Sequence, residues 1–196
     1  MNIGEFLDTL KSENISVFDT GIASSLLKKS RGYTKLFLHR HRGRFIRVIR
    51  GIYALQGTSE YVIASHIIYP SYISFISALY IYDLTTQIPD SIIVATYKQH
   101  SPINYANYII KFVKFPKERL FGYTDLKDVV IAEPEKAIVD SVYRNPSSEE
   151  VMDAIEKGIQ RGLLSRNRLL DYATKMKSRA VIEKIKAMLK EINGDE

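Results

Sequence analysis

Nine cations stand in the forty residues from 20 to 59, and no Asp or Glu stands among them: Lys28, Lys29, Arg31, Lys35, Arg40, Arg42, Arg44, Arg47 and Arg50. The chain as a whole carries +6, so the remainder is slightly acidic. A solvated charged surface mixes the two signs. A one-sign block on an otherwise acidic chain is the electrostatic footprint of a polyanion site. Duplex DNA carries one charge per ~1.7 Å of axis, and cationic side chains gain affinity for it by releasing condensed counterions. Arg predominates in the block, and its planar fork suits both phosphate and the guanine edge. Tyr33, Thr34 and His39, interleaved with these cations, add hydrogen-bonding and stacking groups.

Other chemistries find little support. The chain has no Cys, which removes disulfides, thiolate metal sites and thiol catalysis together. Its four His form no His-Glu-x-x-His pair, and its isolated glycines build no phosphate-cradling loop. His39 and His41 would diverge on a helix, so no metal is expected there. The densest acidic set is Glu133, Glu135 and Asp140. On a helix beginning near 134, Glu135 and Asp140 point to different sides. Glu133 and Glu135 suit a helix N-terminus, where negative charge is stabilised by ~0.3–1 kcal/mol. Nothing here sustains a catalytic reading, and no catalytic residue, metal or cofactor is expected.

The basic block needs elements to present it. Ile3, Phe6, Leu7 and Leu10 predict a helix over 3–12. Asp19 or Thr20 caps a second over 20–29, with Ile22, Ala23, Leu26 and Leu27 inward and Gly32 as its break. A third spans 33–42 and ends at Gly43. The β-branched and aromatic run 45–55, with Gly51 as its turn, reads as a hairpin. Three short helices followed by a hairpin is the layout of a winged helix-turn-helix, in which the third helix enters the major groove and the wing lies along the phosphates or in the minor groove.

Helical spacing puts Arg31, Thr34, Lys35, Leu38 and Arg42 on one stripe and Tyr33, Leu36, Phe37 and Arg40 on the opposite one. Leu36-Phe37-Leu38 is apolar throughout, so the spacing leaves the rotational phase of this helix open. The face with Arg31, Thr34, Lys35 and Arg42 is expected to meet DNA, with His39 beside it and Arg44, Arg47 and Arg50 on the wing, and Tyr33 is also counted among the DNA-binding residues as a hydrogen-bonding and stacking group.

The expected organisation is α+β: a winged helix-turn-helix over 1–57, then a mixed α/β domain over 58–196 with a helical C-terminus. Helices are predicted over 60–68 and 72–83, and strands over 91–96, 108–113 and 129–131. Another helix follows over 134–143 with Pro134 in its first turn. Asn145-Pro146-Ser147-Ser148 reads as a turn and cap before helices over about 148–160, 165–176 and 179–192. Residues 61–82 hold no charged side chain, a length that could span a bilayer, but Pro70 and several polar residues interrupt the run, and no membrane span is expected. The first residues have neither a basic n-region nor an apolar h-region, so the expected location is the cytoplasm.

Several segments resemble the AbiEi-type antitoxins of toxin–antitoxin systems. Gly43-Arg44-Phe45-Ile46-Arg47-Val48-Ile49-Arg50-Gly51-Ile52-Tyr53-Ala54-Leu55 is similar to their wing. Tyr69-Pro70-Ser71-Tyr72-Ile73-Ser74-Phe75-Ile76-Ser77-Ala78-Leu79 is similar to their following helix, and Gln87-Ile88-Pro89 and Ile93-Val94-Ala95-Thr96 continue the pattern. Ile131-Ala132-Glu133-Pro134-Glu135-Lys136-Ala137-Ile138-Val139-Asp140 resembles their late alanine-proline-glutamate-lysine-alanine helix. The matches run in order from about 3 to 145. The resemblance implies a repressor that binds inverted repeats in its own promoter as a monomer or homodimer. It also implies a second domain that supports neutralisation of a nucleotidyl-transferase-like toxin and, in some members, contributes to DNA binding. A stand-alone winged-helix regulator with no toxin partner is the alternative.

Overall fold

A computed structural model describes residues 1–145 and 149–194. The chain is mixed α and β and divides into two compact units, Met1–Ile67 and Ile68–Glu196.

The first unit begins with α1 (Ile3–Ser12), closed by a capping box in which Asn2 and Glu5 satisfy each other's backbone N–H groups. Strand β1 (Val17–Asp19) follows. Asp19 then caps α2 (Thr20–Leu27): its Oδ1 accepts from Ile22 N–H at 2.8 Å. The second helix is shorter than expected. Lys28 takes the left-handed conformation that closes a helix, and Ser30 caps the next one by accepting from Tyr33 N–H. Helix α3 (Arg31–Arg40) therefore starts earlier than the spacing suggested, with Gly32 inside its first turn and not between helices. Strands β2 (Phe45–Ile49) and β3 (Ile52–Leu55) form the expected hairpin, turning at Gly51 with φ +87°, where a side chain would be strained. The three-stranded sheet is antiparallel in the order β1-β3-β2. The first unit runs past the boundary expected at 57. It takes in α4 (Glu60–His66), capped by Ser59 and packed on β1.

Four phenylalanines from four elements make the core of this unit. Phe6, Phe18, Phe37 and Phe45 meet edge to face, with centroid distances of 5.5 to 6.0 Å. Leu10, Ala23, Leu27 and Leu38 fill in around them.

The second unit is built on a mixed six-stranded sheet in the order β6-β7-β5-β4-β9-β8. Its strands are β4 (Ser71–Ile73), β5 (Ser91–Thr96), β6 (Ile103–Tyr105), β7 (Tyr108–Lys114), β8 (Tyr123–Leu126) and β9 (Val129–Ala132). β5 runs parallel to β7 and β4 parallel to β9, while the other pairs are antiparallel. The helix expected over 72–83 is corrected: its first residues are the central strand β4, and the helix is α5 (Phe75–Ile81). All three residues of β4 are buried, so the strand lacks the alternation that marks a half-exposed one, and an apolar run of that kind reads equally as helix. Helix α6 (Pro134–Arg144) is surrounded by α5, α7 (Glu149–Gln160), α8 (Arg166–Lys175) and α9 (Arg179–Gly194), the expected helical end. Pro146-Ser147-Ser148 of the expected turn and cap lie outside the described residues. Among the described residues no helix is long and apolar enough to cross a membrane.

The phenylalanine cluster fixes how α3 is rotated, and a stability comparison checks it. Phe37→Ala removes a buried ring and is expected to cost about 3–5 kcal/mol in urea unfolding. Leu36→Ala, on a side chain 49% exposed, should stay within about 0.5 kcal/mol. The reverse order of the two effects would mean that α3 packs on its other face.

Candidate nucleic-acid interface

A groove of about 690 Å³ is lined by α3, the β2–β3 hairpin and the start of α2. Helix α3 supplies Arg31, Lys35, Leu38 and His39, and Arg42 follows in the turn after it. These positions recur at helical spacing, so one stripe of the helix faces the groove. From the hairpin come Phe45, Arg47, Arg50, Gly51 and Tyr53, and from the start of α2 come Asp19, Thr20 and Gly21. Arg47 and Tyr53 are cross-strand partners, and Phe45 lies two residues before Arg47, so all three project from one face of the sheet.

Six of the nine residues expected to meet DNA thus come together: Arg31, Lys35, His39, Arg42, Arg47 and Arg50. The other three do not. Thr34 is fully buried, and its Oγ1 donates to Ser30 O at 3.0 Å, so it belongs to the inner face of α3 and cannot reach a ligand in the groove. Its spacing from Arg31 was compatible with the basic stripe, but packing turns position 34 inward with Phe37 and Leu38. Tyr33 lies on the opposite flank. With Met1, Ile3, Leu36 and Arg40 it lines a separate hollow of about 300 Å³, and the Lys29 ammonium sits 5.9 Å from its ring centroid. Arg44 is exposed in the turn before β2 and is not part of the groove lining. Tyr53 and Asp19 are groove residues that sequence reasoning missed. A two-residue turn at Arg50-Gly51 by itself would set Tyr53 opposite Val48, and an irregularity between Arg47 and Ile49 shifts the register and puts it opposite Arg47, so the turn signal alone does not locate it. Asp19 was legible only as a cap.

Charge in the groove is strongly one-signed. Among the described residues, none of Arg31, Lys35, Arg42, Arg47 and Arg50 has a carboxylate within ion-pair distance. Asp19 is the one acid in the lining, and its carboxylate is engaged in capping α2. Five cations against one carboxylate around a concavity leave a net repulsion, and an incoming polyanion relieves it while shedding its counterions. His39 faces this groove, while His41 packs its ring 4.8 Å from that of Phe37. Among the described residues no group of three or more His, Cys, Asp or Glu is placed to hold a metal ion.

The acidic set of the second unit is internal. Glu133 receives the Arg168 guanidinium at 2.6 Å and the Tyr172 hydroxyl, and Glu135 accepts from Ser165 N–H at 2.9 Å, at the start of α8. Asp140 and Lys136 are fully buried, with Nζ donating to Oδ1 at 2.5 Å. Ser74 and Tyr72 donate to Oδ2 of Asp140 at 2.7 and 3.2 Å. The ammonium also lies 3.2 Å from the Met176 sulfur and 4.3 Å from the centre of the Phe121 ring. Burial pushes the Lys136 ammonium below and the Asp140 carboxyl above their ordinary ranges, and each partner's charge opposes the other's shift. These carboxylates fasten α6 to β4 and α8.

No protein-family model matches the chain, and no curated protein matches its sequence.

Removing one member of the buried pair leaves the other uncompensated. Lys136→Met and Asp140→Ala are each expected to cost about 3–5 kcal/mol in denaturant unfolding, and the double variant clearly less than the sum of the two. Additive costs would mean that the two groups do not act as a pair.

Proposed function

We propose that the first unit is a winged helix-turn-helix that binds duplex DNA through this groove, with α3 as the recognition helix and the β2–β3 hairpin as the wing. The observation that carries the reading is the convergence of Arg31, Lys35, Arg42, Arg47 and Arg50 from two elements onto one concavity, with no ion pair to any of them among the described residues. The element order and the antiparallel β1-β3-β2 sheet support it, because they match the layout in which the third helix enters the major groove and the hairpin follows the backbone. Binding is the proposed role, without catalysis, metal or cofactor.

On this reading the chain is a sequence-specific transcriptional repressor. The resemblance to AbiEi-type antitoxins extends it to an antitoxin that controls its own operon in the cytoplasm, opposite a nucleotidyl-transferase-like toxin. Co-purification with the product of an adjacent gene supports the antitoxin role, and its failure favours the stand-alone regulator.

The groove itself is tested by charge removal. Arg31→Ala, Lys35→Ala and Arg42→Ala together should lower the slope of log affinity against log salt by about 0.9 for each phosphate that is no longer neutralised. All three side chains are exposed, so stability should be little changed. Arg44→Ala, outside the groove lining, should leave the slope as it is. An unchanged slope in the triple variant would remove the groove as the DNA-binding face.

A further inference from the structure

The polar side chains that α3 turns into the groove are Arg31, Lys35 and His39. The whole helix, Arg-Gly-Tyr-Thr-Lys-Leu-Phe-Leu-His-Arg, contains no Asn, Gln, Asp or Glu. Its groove face therefore offers hydrogen-bond donors and almost nothing that accepts. Arg and Lys cannot accept at all, and His39 accepts only through a deprotonated ring nitrogen.

A face of donors is selective about base edges. In the major groove guanine presents two acceptors, N7 and O6. Adenine presents one acceptor beside an amino donor, thymine one acceptor beside a methyl group, and cytosine an amino donor. Only guanine satisfies an Arg or Lys head with two bonds. Elsewhere one donor is left unpaired or meets another donor, and a desolvated, unpaired donor is costly. Among the described residues the one carboxylate in the groove lining is Asp19, and its Oδ1 is held by Ile22 N–H at the start of α2.

We propose that the groove reads G·C-rich duplex, with a short run of guanines on the strand facing Arg31, Lys35 and His39. This rests on the DNA-binding reading above and names the sequence class it takes. The length of the run follows from the helix. Successive groove residues are one turn apart, so Arg31 to His39 spans ~12 Å. At ~3.4 Å per base step, that covers about four base pairs. Arg47 and Arg50, on the hairpin, hold the phosphates and contribute affinity without selectivity.

The test uses the full chain and a pool of duplexes with a randomised central segment, with retained molecules sequenced. Enrichment of a block of about four base pairs rich in guanine on one strand is expected. The enriched duplex is then remade with 7-deazaguanine, which removes the N7 acceptor from the major groove without changing charge. Binding should weaken roughly tenfold or more, within the range that a single bidentate pair supplies. Inosine in place of guanine removes only the minor-groove amino group and should leave affinity nearly unchanged. The 7-deazaguanine penalty should disappear in the Arg31→Ala, Lys35→Ala variant, which identifies the reading side chains. Enrichment of A·T-rich duplexes, or sensitivity to inosine in place of 7-deazaguanine, overturns the proposal. Salt-dependent binding with no sequence enrichment overturns it while leaving the DNA-binding reading intact. Wild-type binding no tighter than that of the triple Ala variant removes both.

Discussion

Everything the first unit presents to solvent depends on how four phenylalanine rings meet. Phe6, Phe18, Phe37 and Phe45 come from α1, β1, α3 and β2, and their edge-to-face contacts put the positive rim of one ring against the negative face of the next. Such a cluster is directional, where aliphatic packing is not. Because Phe37 and Leu38 belong to it, and Thr34 faces the same way, α3 has one permitted rotation. That rotation points Arg31, Lys35 and His39 at the hairpin. Phe45 connects the two sides, since it is a member of the cluster and also lines the groove.

The two units handle charge in opposite ways. In the first, the groove cations have no acid partners among the described residues, and a field of one sign extends over a concave surface. In the second, Lys136 with Asp140, and Arg168 with Glu133 and Glu135, bind secondary elements to one another. The Lys136–Asp140 pair is closed off by Tyr72, Ser74 and Met176 and meets no solvent. A buried pair of this kind contributes little net stability, but removing either partner is severe, so it specifies how α6 sits on the sheet. Glu133, Glu135 and Asp140, the densest acidic set in the sequence, are thus joints of the fold.

Much of the architecture was legible along the chain. Periodicity located α1, the hairpin, β5, β7, β9, α6 and the three C-terminal helices, because each is long or carries a clear alternation, cap or turn signal. The failures share a physical cause. Ser71-Tyr72-Ile73 is buried on both faces, and an apolar run carries no period with which to tell strand from helix. β1 and β6 are three residues long, too short to set a pattern, and β8 is exposed at all four positions and so shows no alternation. Ser30 as a cap was overlooked because Gly32 is a stronger apparent break, yet glycine is tolerated in a first helical turn when a side chain ahead of it holds the exposed N–H groups.

By itself, the sequence determined composition and local signals: an acid-free basic block, three helices and a hairpin in that order, a turn at Gly51, and the absence of thiol chemistry. It left undecided which of two helical stripes faces outward, because Leu36-Phe37-Leu38 is apolar at three successive positions and local spacing favours neither side. Only tertiary packing decided that. The core accepts Phe37, Leu38 and Thr34 and leaves Leu36 half exposed, so Thr34 and Tyr33 drop out of the proposed DNA face and Tyr53 and Asp19 enter it. Cations scattered from Arg31 to Arg50 became one groove because a long-range contact, not a local preference, set the rotation of the helix that carries the first of them.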